Sequence, residues 1–180
     1  MTENAVAPTS TSAAAPGTTP AVATADPTNP ASAPVTVVRE SHRRYTGYSP
    51  RGGVVRIGDA AFPDTFTPGE LLKVALGACA AMSSDAVLSR RLGEDFPMTV
   101  VVDAEKNVAE NRYTHFVESI RLDLDALDEA TRGKVLDIMG RAIDQACTVG
   151  KTIEHGATID HAPVAHPAPA VPAAAAEAIS

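Results

Sequence analysis

Two cysteines, Cys79 and Cys147, are the residues of this chain best suited to chemistry. Each lies on the apolar stripe of a stretch with helical periodicity. If the two helices pack together, the thiols form a sheltered dithiol suited to redox chemistry. Either cysteine alone reads equally as packing, because free Cys is among the most buried residue types and behaves as a small hydrophobe. A zinc centre is disfavoured: the other soft ligands are scattered histidines such as His42, His115 and His155, without CxxC or HxxxH spacing. Gly150-Lys151-Thr152 resembles the end of a phosphate loop, but the glycine needed five positions earlier is Gln145.

Reactivity at neutral pH requires a thiolate, so the free thiol value of roughly 8.5 must fall. Mid-helix placement of Cys79 draws little from its own helix dipole, whose effect fades beyond the terminal turn. A buried cation is therefore expected beside it, and arginine fits because it stays charged when desolvated. Cys147 falls near a helix C-terminus, where the dipole opposes an anion. This makes Cys147 the better candidate for the resolving thiol.

The elements that must position the sulfurs are legible in outline. Thr67-Pro68-Gly69-Glu70 is a helix start: Thr67 caps, Pro68 suits the first helical position, and Glu70 stands where a capping-box carboxylate reaches back. The helix is expected to run to Arg91. Leu72, Ala75, Leu76, Cys79, Met82 and Ala86 share one face, and Gly77, Ala78, Ala80 and Ala81 keep the others small, as in a central helix buried on most sides. Asp128 opens a second helix whose Val135, Ile138, Met139, Ala142, Ile143, Ala146 and Cys147 follow the i, i+3, i+4, i+7 rule, with Gly150 placed to end it.

Strands are expected at Val35 to Thr46 and Val54 to Ile57, joined by the turn Gly47 to Gly53, and again at Met98 to Val102 and Tyr113 to Leu124. A last short strand is read between Ile153 and Asp160. Within Tyr113 to Leu124, Phe116, Ile120, Leu122 and Leu124 alternate with polar residues, and Glu118 lands on the apolar side. A bulge or an edge position would account for that carboxylate. The order of elements reads as α+β, with antiparallel sheets packed on two helices.

Composition sets the bounds. Ten of fourteen prolines fall within residues 1–34 and 162–180, segments dominated by Ala, Pro and Thr. Such ends bury too little apolar surface to offset an ordering entropy of roughly 1–2 kcal/mol per residue. They are read as disordered tails around one domain, residues 35–161. The net charge is −7, and an acidic chain without a Lys/Arg cluster is a poor partner for nucleic acid. The start of the chain lacks the basic and apolar segments of a secretory signal. The apolar tract Leu71 to Val87 is broken by Lys73, Ser83, Ser84 and Asp85, which argues against a membrane span. A cytoplasmic protein is expected, and in that reducing compartment a lone cysteine pair is more suited to cycling than to stapling.

The chain resembles the family of osmotically inducible protein C and organic hydroperoxide resistance protein (OsmC/Ohr), in its OsmC-like subgroup. The resemblance rests on Phe66-Thr67-Pro68-Gly69-Glu70-Leu71-Leu72, on Ala75-Leu76-Gly77-Ala78-Cys79, and on Ala146-Cys147-Thr148-Val149. It implies an intertwined homodimer with long buried central helices and sites at the subunit interface. It also implies reduction of organic hydroperoxides without a bound cofactor, in defence against oxidative stress. Cys79 would be the peroxidatic thiol, Cys147 its disulfide partner, Arg51 in Pro50-Arg51-Gly52-Gly53 the activating arginine, and an external thiol such as a dihydrolipoyl group the reductant.

Two positions depart from the family pattern. Peroxidase members usually carry glutamate directly after the helix-starting proline, where it holds the arginine; here Gly69 stands there and Glu70 follows. One helical step turns a side chain by about 100°, so Glu70 is either the displaced catalytic carboxylate or simply the cap. Thr148 follows Cys147 where many members have proline. Two other readings stay open: a binding module for a small apolar ligand, and a redox-responsive interaction protein.

Overall fold

The computed structural model describes residues 33–161 and 163. The terminal segments expected to lack order therefore lie, apart from residues 33, 34 and 163, outside the described residues. The element order is β1 (Thr36–Ser41), β2 (Arg44–Tyr48), β3 (Val54–Ile57), α1 (Pro68–Leu92), β4 (Met98–Asn107), β5 (Arg112–Leu122), α2 (Glu129–Ala146) and α3 (Thr148–His155). The fold is α+β, with an antiparallel sheet β1-β2-β3 and a second antiparallel pair β4-β5.

Three expectations are corrected. The β-prone stretch from Val35 to Thr46 is not one strand, because the chain reverses between Ser41 and Arg44, where Arg43 takes φ 56°. The polar segment from Asp103 is not a separator but the continuation of β4, so the hairpin turns only at residues 108–111. Residues 153–160 do not form a strand; Thr148–His155 is a third helix, in which Val149 and Ile153 share a face at i, i+4 spacing.

α1 starts as its sequence requires. Glu70 N–H donates to Thr67 Oγ1 at 3.2 Å, and Glu70 Oε2 accepts from Thr67 N–H at 2.7 Å, closing a capping box over Pro68. α2 is capped by Asp128, whose carboxylate accepts from Thr131 N–H at 2.9 Å. α1 packs on α2, β4 and α3. Its far end joins a core built on Leu88, Leu124 and Val135, flanked by Phe96, Met98, Leu122 and Met139. Nearer its middle, Gly77 lets β4 come close: a Cβ there would stand 2.8 Å from Val102 Cγ2 and 3.2 Å from Val100 Cγ1.

Among the described residues α1 buries one face, Leu76, Gly77, Ala80, Ser84 and Leu88, and not most of its sides as expected. Val74 and Met82 are 50% and 78% exposed, leaving an apolar stripe uncovered. By length and composition α1 could also cross a membrane, despite Lys73, Ser83, Ser84 and Asp85, a property that core helices share. The sheet β1-β2-β3 stands beside this unit and joins it through the Ile57–Phe66 bridge, where Phe66 N–H donates to Arg56 O at 3.0 Å.

Gly77→Val should push α1 from β4 and destabilise the domain by roughly 1–3 kcal/mol, the usual range for overpacking. Urea unfolding checks this; an unchanged midpoint would show that the α1–β4 contact tolerates the added bulk.

Candidate active site

Both cysteine sulfurs meet the first turn of α3. Cys147 is the single residue between α2 and α3. Its N–H closes α2 by donating to Ile143 O at 2.8 Å, and its Sγ caps α3 by accepting from Gly150 N–H at 3.3 Å. Cys79 reaches the same turn from the side of α1, where its Sγ accepts from Val149 N–H at 3.5 Å. The first N–H groups of a helix have no intrahelical partner and carry the positive end of its dipole. They are thus natural donors to a sulfur anion.

The two thiols are also close enough to interact with each other, and their acidities diverge. Burial opposes ionisation of Cys79, but the N–H of Val149, the Cys147 thiol and the N–H of Thr148 outweigh it and hold Cys79 below the ordinary thiol value. Ser83 also lies beside this sulfur, but its hydroxyl proton goes to the Cys79 carbonyl at 2.7 Å, so it adds little. Cys147, only 4% exposed, is pushed above 9.0 chiefly by burial; the neighbouring Cys79 and Glu118 push the same way, against the Gly150 N–H. Such a pair has one ionisable nucleophile and one proton-bearing partner.

Each expected site residue has a definite place. Cys79 and Cys147 are brought together. Glu70 is held in the capping box, where Thr67 N–H and Oγ1 engage its Oε2 at 2.7 and 2.9 Å and lower its pKa. Arg51 lies exposed on the β2–β3 turn, whose Ser49 Oγ accepts from the N–H groups of Arg51 and Gly53 at 3.3 and 2.9 Å. Within one chain it contributes nothing to the acidity of Cys79. The activating influence visible here is the amino end of α3, not a buried cation.

Three residues play parts that their sequence reading did not give them. Gly150 does not end a helix; it sits inside α3, and a Cβ there would stand 3.1 Å from Cys147 Sγ, so its smallness seats the sulfur. Tyr113 explains Gly69: a Cβ at position 69 would collide with the Tyr113 hydroxyl, so the phenol takes the space a larger side chain would need. Glu118 lies in register opposite Val102, with the β4–β5 irregularity elsewhere, at Glu105/Lys106. The bulge expected to excuse its inward position is absent there. Both strands are edges of a two-stranded sheet, yet Glu118 Oε1 is buried without a hydrogen bond. Among the described residues, no group of three or more His, Cys, Asp or Glu side chains could hold a metal ion.

Fold and site together define an α+β domain that carries an electrostatically inequivalent dithiol, with Cys147 buried and Cys79 half-buried. The model of the OsmC-like protein family matches residues 61–162. Uncharacterized proteins of Mycobacterium tuberculosis and Mycobacterium bovis are 43% identical over 124 residues, covering 69% of this chain and 90% of theirs. The chain belongs to the OsmC-like family. Among solved structures, a hypothetical protein from Aquifex aeolicus matches with a TM-score of 0.53 at 13% identity, covering 68% of this chain and 87% of its own. A protein from Psychrobacter arcticus matches with a TM-score of 0.51 at 16% identity, covering 66% and 85%. These likenesses establish the fold.

Limited iodoacetamide at neutral pH should label Cys79 well before Cys147, read by peptide mass spectrometry; equal labelling would refute the divergent acidities. Glu70→Gln should loosen the start of α1 and leave Cys79 labelling unchanged. Because the Glu70 pKa is lowered from 4.5, its stabilisation is present above that value and lost as pH falls through the lowered one. The difference in Tm between parent and variant should therefore close in acid.

Proposed function

We propose that this protein is a thiol-dependent peroxidase that reduces organic hydroperoxides, with Cys79 as the peroxidatic and Cys147 as the resolving thiol. The observation that carries this reading is that both sulfurs share the amino end of α3 with opposite shifts in acidity. The Cys79 thiolate attacks the terminal oxygen of the hydroperoxide. The O–O bond breaks, the alkoxide takes a proton and leaves as an alcohol, and Cys79 becomes a sulfenic acid. Cys147 then displaces the hydroxyl as water to give a disulfide. An external dithiol, such as a dihydrolipoyl group, reduces the disulfide by exchange and is itself oxidised. The site needs no resident cofactor, and a reducing cytoplasm suits the cycle.

The working unit in this proposal is a homodimer. Two observations support it: the uncovered apolar stripe of α1 at Val74 and Met82, and the outlying turn that carries Arg51. In an intertwined pair, one chain's β1-β2-β3 sheet can lie against the other's helices, so that Arg51 serves the partner's Cys79. Its guanidinium would then add to the α3 donors and bind the peroxide oxygen. A second reading, binding of a small apolar ligand, is favoured by one observation: with Tyr113 in place, position 69 has no room for a carboxylate side chain.

Purified protein should consume cumene hydroperoxide in the presence of dihydrolipoate, and Cys79→Ser should abolish turnover. Cys147→Ser should stop after one equivalent with Cys79 trapped as sulfenic acid. Mixing Arg51→Ala and Cys79→Ser chains should restore activity through dimers that retain one intact site. Full activity of Cys79→Ser would overturn the proposal, and unreactive thiols with a retained apolar ligand in native mass spectrometry would favour the second reading.

A further inference from the structure

Glu118 is the one inward-facing residue of β5 whose chemistry the packing does not explain. Phe116, Ile120 and Leu122 line the same side of the strand and are partly buried, as a sheet packed on helices requires. Glu118 takes a place suited to Val or Ile, yet its Oε1 is buried without a hydrogen-bond partner. It makes no ion pair among the described residues. Glu118 is half-buried, and a buried carboxyl oxygen without a partner costs stability, so packing alone gives no reason for it.

Its surroundings supply one. Glu118 lines a cavity of about 510 Å³ whose other walls include Leu76 of α1, Tyr113 and Phe116 of β5, and Gly150 and Ile153 of α3. Gly150 is the residue whose N–H holds Cys147 Sγ at 3.3 Å. The charged and titratable groups facing the cavity are Arg112 and His115 with Tyr113 from β5, and Glu154 from α3. Arg112 is already paired with Glu110. α1 presents Leu76 to the cavity, and β4 sets Val102 opposite Glu118. Cys147, at the α2–α3 junction, lies within electrostatic range of the carboxylate.

We propose that Glu118 accepts the proton of Cys147 when that thiol closes the disulfide with the Cys79 sulfenic acid, acting as the proton-handling residue of the resolving step. The proposal rests on the peroxidase reading above. The Cys147 proton passes to the carboxylate through solvent in the cavity. The Cys147 sulfur bonds to the Cys79 sulfur as the S–O bond breaks, and the departing hydroxide takes the proton back from Glu118 and leaves as water. Cys147 is oxidised to the disulfide level, the sulfenic sulfur is reduced to it, and the carboxylate is regenerated. Desolvation raises the Glu118 pKa above 4.5, making the carboxylate a stronger base than an exposed one.

The test is a single turnover of the full chain with one equivalent of cumene hydroperoxide and no reductant, over a range of pH. Sulfenic acid is followed by dimedone trapping and disulfide by intact mass. Glu118→Gln should form sulfenic acid at the parent rate but close the disulfide about 10²-fold more slowly at neutral pH, a typical lower value for loss of a general base. Its closure rate should follow thiol ionisation alone, without the parent's carboxylate limb, and Glu118→Asp should recover part of the rate. Closure by Glu118→Gln at the parent rate with the parent pH profile would overturn the role of Glu118 alone. Failure of the parent chain to form any sulfenic acid would overturn the peroxidase reading itself.

Discussion

The amino end of an eight-residue helix governs the chemistry of this site. α3 offers the N–H of Val149 to one sulfur and that of Gly150 to the other, and the rest of the fold serves to bring the sulfurs there. α2 must stop at Cys147 so that a new helix can begin at Thr148. Lys151 steadies that junction by donating from Nζ to Gln145 O at 2.6 Å, satisfying a carbonyl at the end of α2. α1 must lie close enough for Cys79 to reach across, and the Val149 N–H meets its Sγ at 3.5 Å.

This arrangement separates two thiols that a composition-level view treats alike. Cys79 meets helix donors that compensate for burial, whereas Cys147 is buried further and faces an anion-prone neighbour and the Glu118 carboxylate. Inequivalence of this kind is what a peroxidatic and a resolving sulfur require, and it arises here from backbone dipoles before any guanidinium is added. Thr148 gains significance in the same light. Proline lacks an N–H, so threonine at the first position of α3 keeps a donor for Cys79 that proline would remove. The departure at Cys147-Thr148 therefore bears on acidity as well as on the turn.

Much of the scaffold was legible because local rules determine it. Thr67-Pro68-Gly69-Glu70 and Asp128 cap their helices through contacts within three residues, and α+β architecture follows from the alternation of periods. The cysteine pair was visible as two thiols on apolar stripes. What escaped was set by contacts distant in sequence. Gly150 read as a stop because a helix-ending glycine and one making room for a sulfur look the same without the sulfur in view. Gly69 gave no sign of Tyr113, 44 residues away, and the bulge expected at Glu118 falls at Glu105/Lys106 instead, because cross-strand register, not composition, decides where it lies. Among the described residues the lowering influences on Cys79 are helix donors and the neighbouring thiol rather than a cation, and sequence spacing cannot reveal that another helix's amino end supplies the positive potential.

The most direct measurement is a thiolate titration by ultraviolet absorbance on the Cys147→Ser chain, with and without Thr148→Pro. Proline suits the first position of a helix, so the second change removes one N–H donor while keeping α3. The Cys79 midpoint is expected to lie below that of an unperturbed thiol and to rise when Thr148 becomes proline. A midpoint at or above that of an unperturbed thiol, roughly 8.5, would show that the amino end of α3 does not hold the Cys79 anion.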